Sequence, residues 1–191
     1  MDKQTVLDMI AEGGVSYESV RDQIRSGDLL LLHHDFIPTL YGLQIEAVQQ
    51  WTGPFAHIAL LDRVVIGGEE RVAVWESVVP LRRMVPVTAT VEDTAGFFWL
   101  SMNRPMSADA IASAWANTGK GEYSKPGAVL AGINALPDDE DDNPRMWCAK
   151  LINLLCRMYG IDLGECYVPT AMASVAMSKY NARLQYVRMN P

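Results

Sequence analysis

Alternation that passes into unbroken apolar runs marks the first half of the chain. "GDLLLL", residues 27–32, reads as a turn and then a buried strand. "GPFAHIALLD", residues 53–62, alternates before running apolar, which predicts a half-buried strand over 55–62. The Gly-Gly pair in "VIGGEE" suits a hairpin turn, so "RVAVWESV", 71–78, is expected to fold back on that strand. Further strands are expected over 81–87 and 96–102. Helical spacing appears in "YESVRDQIRS", 17–26. It recurs in "TLYGLQIEAVQQWTG", 39–53, where Leu40, Leu43, Ala47, Val48 and Trp51 share one face before Gly53 and Pro54.

The second half is predominantly helical in pattern. "MSADAIASAWANTGK" has a Ser cap at Ser107 and a stop at Gly119. "KPGAVLAGINAL" predicts a shorter helix, and "PDDEDDNP", 137–144, a solvated acidic loop. Asn143 and Pro144 form a cap and first-turn pair for a helix over 146–159. "VPTAMASVAM" opens another helix at Pro169, and "RLQYVRM" alternates as a final strand. Strands first and helices second predict an α+β fold with an antiparallel sheet packed against helices.

Composition narrows the partners. The 191 residues are 49% apolar and 20% charged, which suits one globular domain spanning 1–191, with its core in about 25–189. A net charge of -7 disfavours nucleic acid and simple adhesion to anionic lipid. No run approaches 18 apolar residues, so no integral membrane segment is expected. The acidic start "MDKQTVLDMIAEGG" lacks the features of a signal peptide. The expected location is cytoplasmic, or a phage particle or host-delivered product.

The three cysteines are Cys148, Cys156 and Cys166. An odd count without a signal peptide argues for free thiols. On one helix Cys148 and Cys156 would lie about 12 Å apart along the axis, too far for a disulfide.

The chemistry-bearing letters are His57, Glu76 and Cys148. Phe55, His57, Ala59 and Leu61 should share one strand face, and Val72, Val74 and Glu76 one face of the next strand. A hairpin would make His57 and Glu76 near neighbours. A carboxylate beside a histidine orients the ring, and a thiol beside that histidine becomes a strong nucleophile. Each residue also has a bland explanation: a satisfied buried histidine, a sheet-edge carboxylate, and a small core residue beside Leu151, Ile152 and Leu155.

A resemblance sharpens the choice. "SGDLLLL", "QQWTG", "FAHIALLD", "VAVWESV", "GKGEYS", "MWCAKLINLLCRMYGI" and "YVPTAMAS" occur in one order over roughly residues 25–175. In this the chain resembles the circularly permuted papain-fold cysteine peptidases of the NlpC type, in particular the YiiX/YebB-like group. The resemblance implies a permuted papain-like fold with the strands first and the cysteine helix late. It implies catalytic residues at Cys148, His57 and Glu76, no cofactor, and a peptide or muropeptide substrate. Where the group often has Ser before the histidine and Ser-Glu after the cysteine, this chain has Ala56, and Ala149 with Lys150. None of these changes removes a catalytic group.

Tyr123 matches a tyrosine position of that group, as a pocket-lining residue or a packed loop aromatic. Trp147 beside Cys148 either shapes a pocket wall or packs. His33, His34 and Asp35 could ligate a metal only if they converged, which adjacent strand residues do not do easily, so no metal is expected. Asp28 reads as structural, Cys156 as core and Cys166 as a loop residue. Three functions remain open: a cysteine-dependent amide hydrolase acting on cell-wall peptides, an acyltransferase or lipid hydrolase of the lecithin retinol acyltransferase-like type, and a catalytically idle domain in a virion or partner-protein assembly.

Overall fold

The computed structural model describes residues 1–33, 39–40, 43–44, 53–78, 81–92, 94–117, 148–165 and 167–189. The chain opens with α1, Lys3–Ala11, capped by Asp2, whose side chain accepts the Thr5 amide at 2.8 Å. The short strand β1, Val15–Ser16, and the helical turn α2, Tyr17–Val20, lead into a 3-10 turn at Arg21–Gln23. The expected helix over 17–26 is therefore shorter. Ile24 takes an extended backbone and the Arg25 amide donates to the Asp28 carboxylate at 2.9 Å, which turns the chain early.

The strands β2 (Leu29–His33), β5 (Phe55–Ile66), β6 (Glu69–Val78), β7 (Leu81–Pro86), β8 (Gly96–Ser101) and β9 (Arg183–Arg188) follow the predicted pattern closely. Between β2 and β5 the expected helix over 39–53 is corrected at its start. Thr39–Leu40 and Leu43–Gln44 are short antiparallel strands, β3 and β4, while 45–52 lie outside the described residues. Leu40 and Leu43 fit a helical spacing, but two short strands use the same letters, and periodicity does not separate them over so few residues.

Among the described residues, seven strands form one sheet in the order β1-β9-β8-β2-β5-β6-β7. Every pairing is antiparallel except β1 with β9. The helices α4 (Ala108–Asn117), α5 (Cys148–Met158) and α6 (Pro169–Tyr180) follow the strands, after the turn α3 (Val87–Thr90). This is the α+β arrangement expected from the order of patterns.

The unbroken "LLLL" of β2 has a direct cause. This strand lies between β5 and β8 and is buried along its whole length. Leu29 and Leu31 pack with α4, α5 and α6 residues, including Ile111, Ile152 and Met172. Leu30 and Leu32 point the other way, into a second cluster with Tyr17, Val20, Val87 and Val91. A strand covered on both faces has no side to leave polar.

Asp28 anchors this core. Its carboxylate accepts the Arg25 amide at 2.9 Å, the Met102 amide at 2.9 Å and Trp99 Nε1–H at 2.8 Å. It is 3% exposed, and burial pushes its carboxyl up while these hydrogen bonds hold it down, with a net rise. Among the described residues no helix is long and apolar enough to cross a membrane.

Candidate active site

The local backbone explains how His57 is aimed. In the β2–β5 ladder Leu32 faces His57 and His33 faces Phe55, so Ala56 is an extra residue on β5. This bulge breaks the simple alternation. Ala59 and Leu61 belong to the cluster around α3, but Phe55 packs with Ile58 and Leu60 on the side of α5. Phe55 therefore does not share the face expected for it. A bulge of this kind re-aims the neighbouring side chain, and here that is Phe55, while His57 keeps the alternation of Ala59 and Leu61.

Glu76 arrives from the adjoining strand. The β5–β6 ladder runs from Ile66 opposite Glu69 to Leu60 opposite Trp75. His57 and Glu76 lie just beyond its last pair, on the face that Leu61 and Val74 define. There His57 Nε2–H donates to Glu76 Oε2 at 2.9 Å, with side-chain exposures of 5% and 1%. Trp75 points the opposite way, donating Nε1–H to Asp62 Oδ2 at 2.9 Å and packing on Trp115. It pins β6 in the register that presents Glu76.

Cys148 comes from α5, which packs on β5 and β6. Leu151, Ile152, Leu155 and Cys156 bury one flank of this helix, and Asn153 Nδ2 donates to the Gly164 carbonyl at 2.7 Å. Cys148 is a buried free thiol, close enough to His57 to raise the pKa of the imidazole. Each imidazole nitrogen offers one in-plane position, and that of Nε2 is taken by Glu76, so Nδ1 is the nitrogen left for sulfur. Of the three residues read from the sequence as a candidate constellation, His57 and Glu76 are hydrogen-bonded, and the Cys148 thiol lies near the ring.

The electrostatics follow from that arrangement. Burial works to lower the His57 pKa. The hydrogen bonds with Cys148 and Glu76, and the charges of both, outweigh it and raise the value from 6.5 to about 10. Burial pushes the Glu76 carboxyl up, but the hydrogen bond and charge of His57, followed by those of Arg83, bring it below its ordinary value. The imidazolium and the carboxylate therefore hold each other charged.

Two members of this cluster were not among the sequence candidates. Arg83 stands directly opposite Glu76 in the β6–β7 ladder and donates Nε–H to Oε1 at 2.8 Å. Thr90, on α3, donates its hydroxyl to the same oxygen at 3.3 Å. Pairing strands expected over 71–78 and 81–87 end to start would have set 76 opposite 83 from sequence alone. Thr90 has no comparable signal, because only the tertiary fold carries α3 to β6.

Other candidates fall apart from this cluster. Cys156 is buried, and burial pushes its thiol up to about 12, which fits an inert core residue. His33 is buried at the end of β2. His34, Asp35, Tyr123, Trp147 and Cys166 lie outside the described residues, as do the acidic loop and the expected cap at Asn143 and Pro144. Among the described residues no three His, Cys, Asp or Glu side chains gather as a metal site.

A thiol, an imidazole and a carboxylate in this order can move a proton from sulfur to nitrogen and keep it there. No protein-family model matches the chain, and no curated protein matches it in sequence.

Proposed function

We propose that the protein is a cysteine-dependent amide hydrolase built on a permuted papain-like fold of the NlpC type. The single observation that carries this reading is the buried His57–Glu76 pair at 2.9 Å, with the Cys148 thiol close to the imidazole. The order of the sequence motifs points the same way.

In the proposed cycle the Cys148 sulfur, having passed its proton to His57 Nδ1, attacks the carbonyl carbon of an amide. The carbonyl oxygen takes up the electron pair, and the backbone N–H of Cys148 is one donor to that oxyanion. The tetrahedral species collapses, the C–N bond breaks, and His57 gives its proton to the departing amine. A thioester on Cys148 remains. His57, now neutral, takes a proton from water, and the hydroxide attacks the thioester carbon. Cys148 leaves as thiolate, His57 stays protonated, and the carboxylic acid product departs. Glu76 holds the ring in place and stabilises the imidazolium throughout.

Cell-wall peptides are the substrates we propose first, with a phage or intracellular setting. The test is turnover of muropeptides by the protein and by Cys148→Ala, with far-UV circular dichroism to establish that the variant folds. Hydrolysis by the parent and none by the folded variant supports the reading. Full activity of the variant would end it. Fatty-acid release from phospholipid, with no cleavage of muropeptides, would move the assignment to the lecithin retinol acyltransferase-like class. Inertness towards both, with an unreactive thiol, would leave a structural or binding role.

A further inference from the structure

Arg83 takes no part in the cycle written above, yet it is built into the same cluster. Its Nε is pinned at 2.8 Å by a carboxylate that is itself 1% exposed, while the Arg83 side chain is 41% exposed. Among the described residues the two terminal nitrogens, Nη1 and Nη2, make no hydrogen bond. The guanidinium is thus fixed at its inner edge and open at its outer one. That outer edge carries two parallel N–H donors, the geometry that matches a carboxylate. An arginine already held in place loses less side-chain freedom on binding than a free one.

Charge points to the same ligand. His57 and Arg83 put two positive charges on the single carboxylate of Glu76. The Cys148 thiolate balances this cluster to zero, and in the thioester, with His57 neutral, Glu76 and Arg83 still balance, so Arg83 is the cation of the cluster whose outer edge meets solvent. The rest of the chain is acidic, at a net charge of -7, so it repels anions in general. A local cationic edge beside the imidazole therefore selects where an anion can sit.

We propose that Arg83 is a substrate-binding residue, and that the substrate is a peptide-like amide bearing a free carboxylate that pairs with the outer edge of its guanidinium. This rests on the hydrolase reading and names the substrate class for the same site. The imidazole and Glu76 stand between the sulfur and that edge. The carboxylate thus belongs on a residue beyond the bond attacked, not on the reacting residue itself.

The experiment uses alkylating probes of matched length on the full chain. Bromoacetyl-glycylglycine carries a terminal carboxylate, and bromoacetyl-glycylglycinamide is its neutral counterpart. Second-order rates of Cys148 alkylation, located by peptide mapping, are measured for the parent, Arg83→Gln and Arg83→Lys. Iodoacetamide serves as the small neutral reference. The acid is expected to react about tenfold faster than the amide in the parent, the ratio one good charge-assisted pair supplies. That preference should fall to near unity in Arg83→Gln and lie between in Arg83→Lys, which keeps the charge and loses the fork.

A parent ratio of one overturns the proposal, and so does a preference that survives Arg83→Gln. If Arg83→Gln does not fold, the parent ratio and Arg83→Lys decide: an undiminished preference in the lysine variant removes the fork from the argument. Failure of the hydrolase reading looks different. Iodoacetamide would then react only as pH approaches the ordinary thiol value of about 8.5. The acid-to-amide ratio, read at pH 9, would still report whether Arg83 selects a carboxylate.

Discussion

Glu76 Oε2 meets His57 Nε2 at 2.9 Å just past the point where their two strands stop pairing. The last β5–β6 pair is Leu60 with Trp75. On one flank β5 bulges at Ala56 against β2, and on the other β7 contributes Arg83. The imidazole is consequently held from several elements, and single substitutions should separate their roles.

The first prediction concerns the thiol. Iodoacetamide should label Cys148 rapidly at pH 6, and His57→Ala should slow that reaction by about 100-fold, since an ordinary thiol of pKa near 8.5 is almost wholly protonated there. Cys156, whose thiol burial pushes up to about 12, should label only on unfolding. Equal pH profiles for the parent and His57→Ala would mean that no ion pair exists.

Glu76→Gln keeps the shape and removes the charge. The sign follows from the two shifts. His57 is raised from 6.5 to about 10, so the stability its proton contributes is complete below pH 6.5 and is lost as pH rises through 10. Glu76 is lowered from 4.5, so its contribution is complete above that pH and is lost as pH falls through the folded value. The substitution should therefore cost most between about pH 4.5 and 6.5, on the order of 3 kcal/mol. Urea unfolding at pH 5.5, 8 and 10.5 measures this. A cost independent of pH would show that only the hydrogen bond, and not the charge, matters.

Asp28→Asn should weaken the fold and spare the site. Its carboxylate accepts from Arg25, Met102 and Trp99, and an amide must turn an NH2 toward one of those donors. A loss of about 2–3 kcal/mol is expected, visible as a lower denaturation midpoint. Cys148 labelling of the folded variant should match the parent. A parallel loss of labelling would tie Asp28 to the reactive cluster instead.

Gly96→Ala tests a close approach. A Cβ there would overlap the Val187 carbonyl oxygen and lie 3.0 Å from the Tyr186 ring. The oxygen belongs to the paired backbone of β9 and has little room to yield. The expected cost is about 1–3 kcal/mol, read from thermal or chemical unfolding. A neutral result would show that β8 and β9 shift apart without penalty.

Periodicity alone determined most of the elements. Alternation in "RVAVWESV", the apolar run of β2, the stop at Gly-Gly and the amphipathic helix carrying Cys148 all depend on neighbours within a few residues. Local pattern reads those relationships directly. It also placed His57 and Glu76 on one face, because the side-chain period of a strand carries across a hairpin. Where local choices were degenerate, as at Leu40 and Leu43, the pattern predicted a helix and the chain made two short strands.

Tertiary structure decided the rest. The bulge at Ala56 turns Phe55 away from the face it should share with His57, and that depends on how β2 pairs with β5. The approach of Cys148 to His57 depends on α5 packing over β5, about ninety positions away in the chain. Thr90 reaches Glu76 only because α3 folds back on β6. Residue types and their periods follow from local sterics and burial, but register and the meeting of distant side chains follow from packing the whole core. No short window of sequence contains that packing.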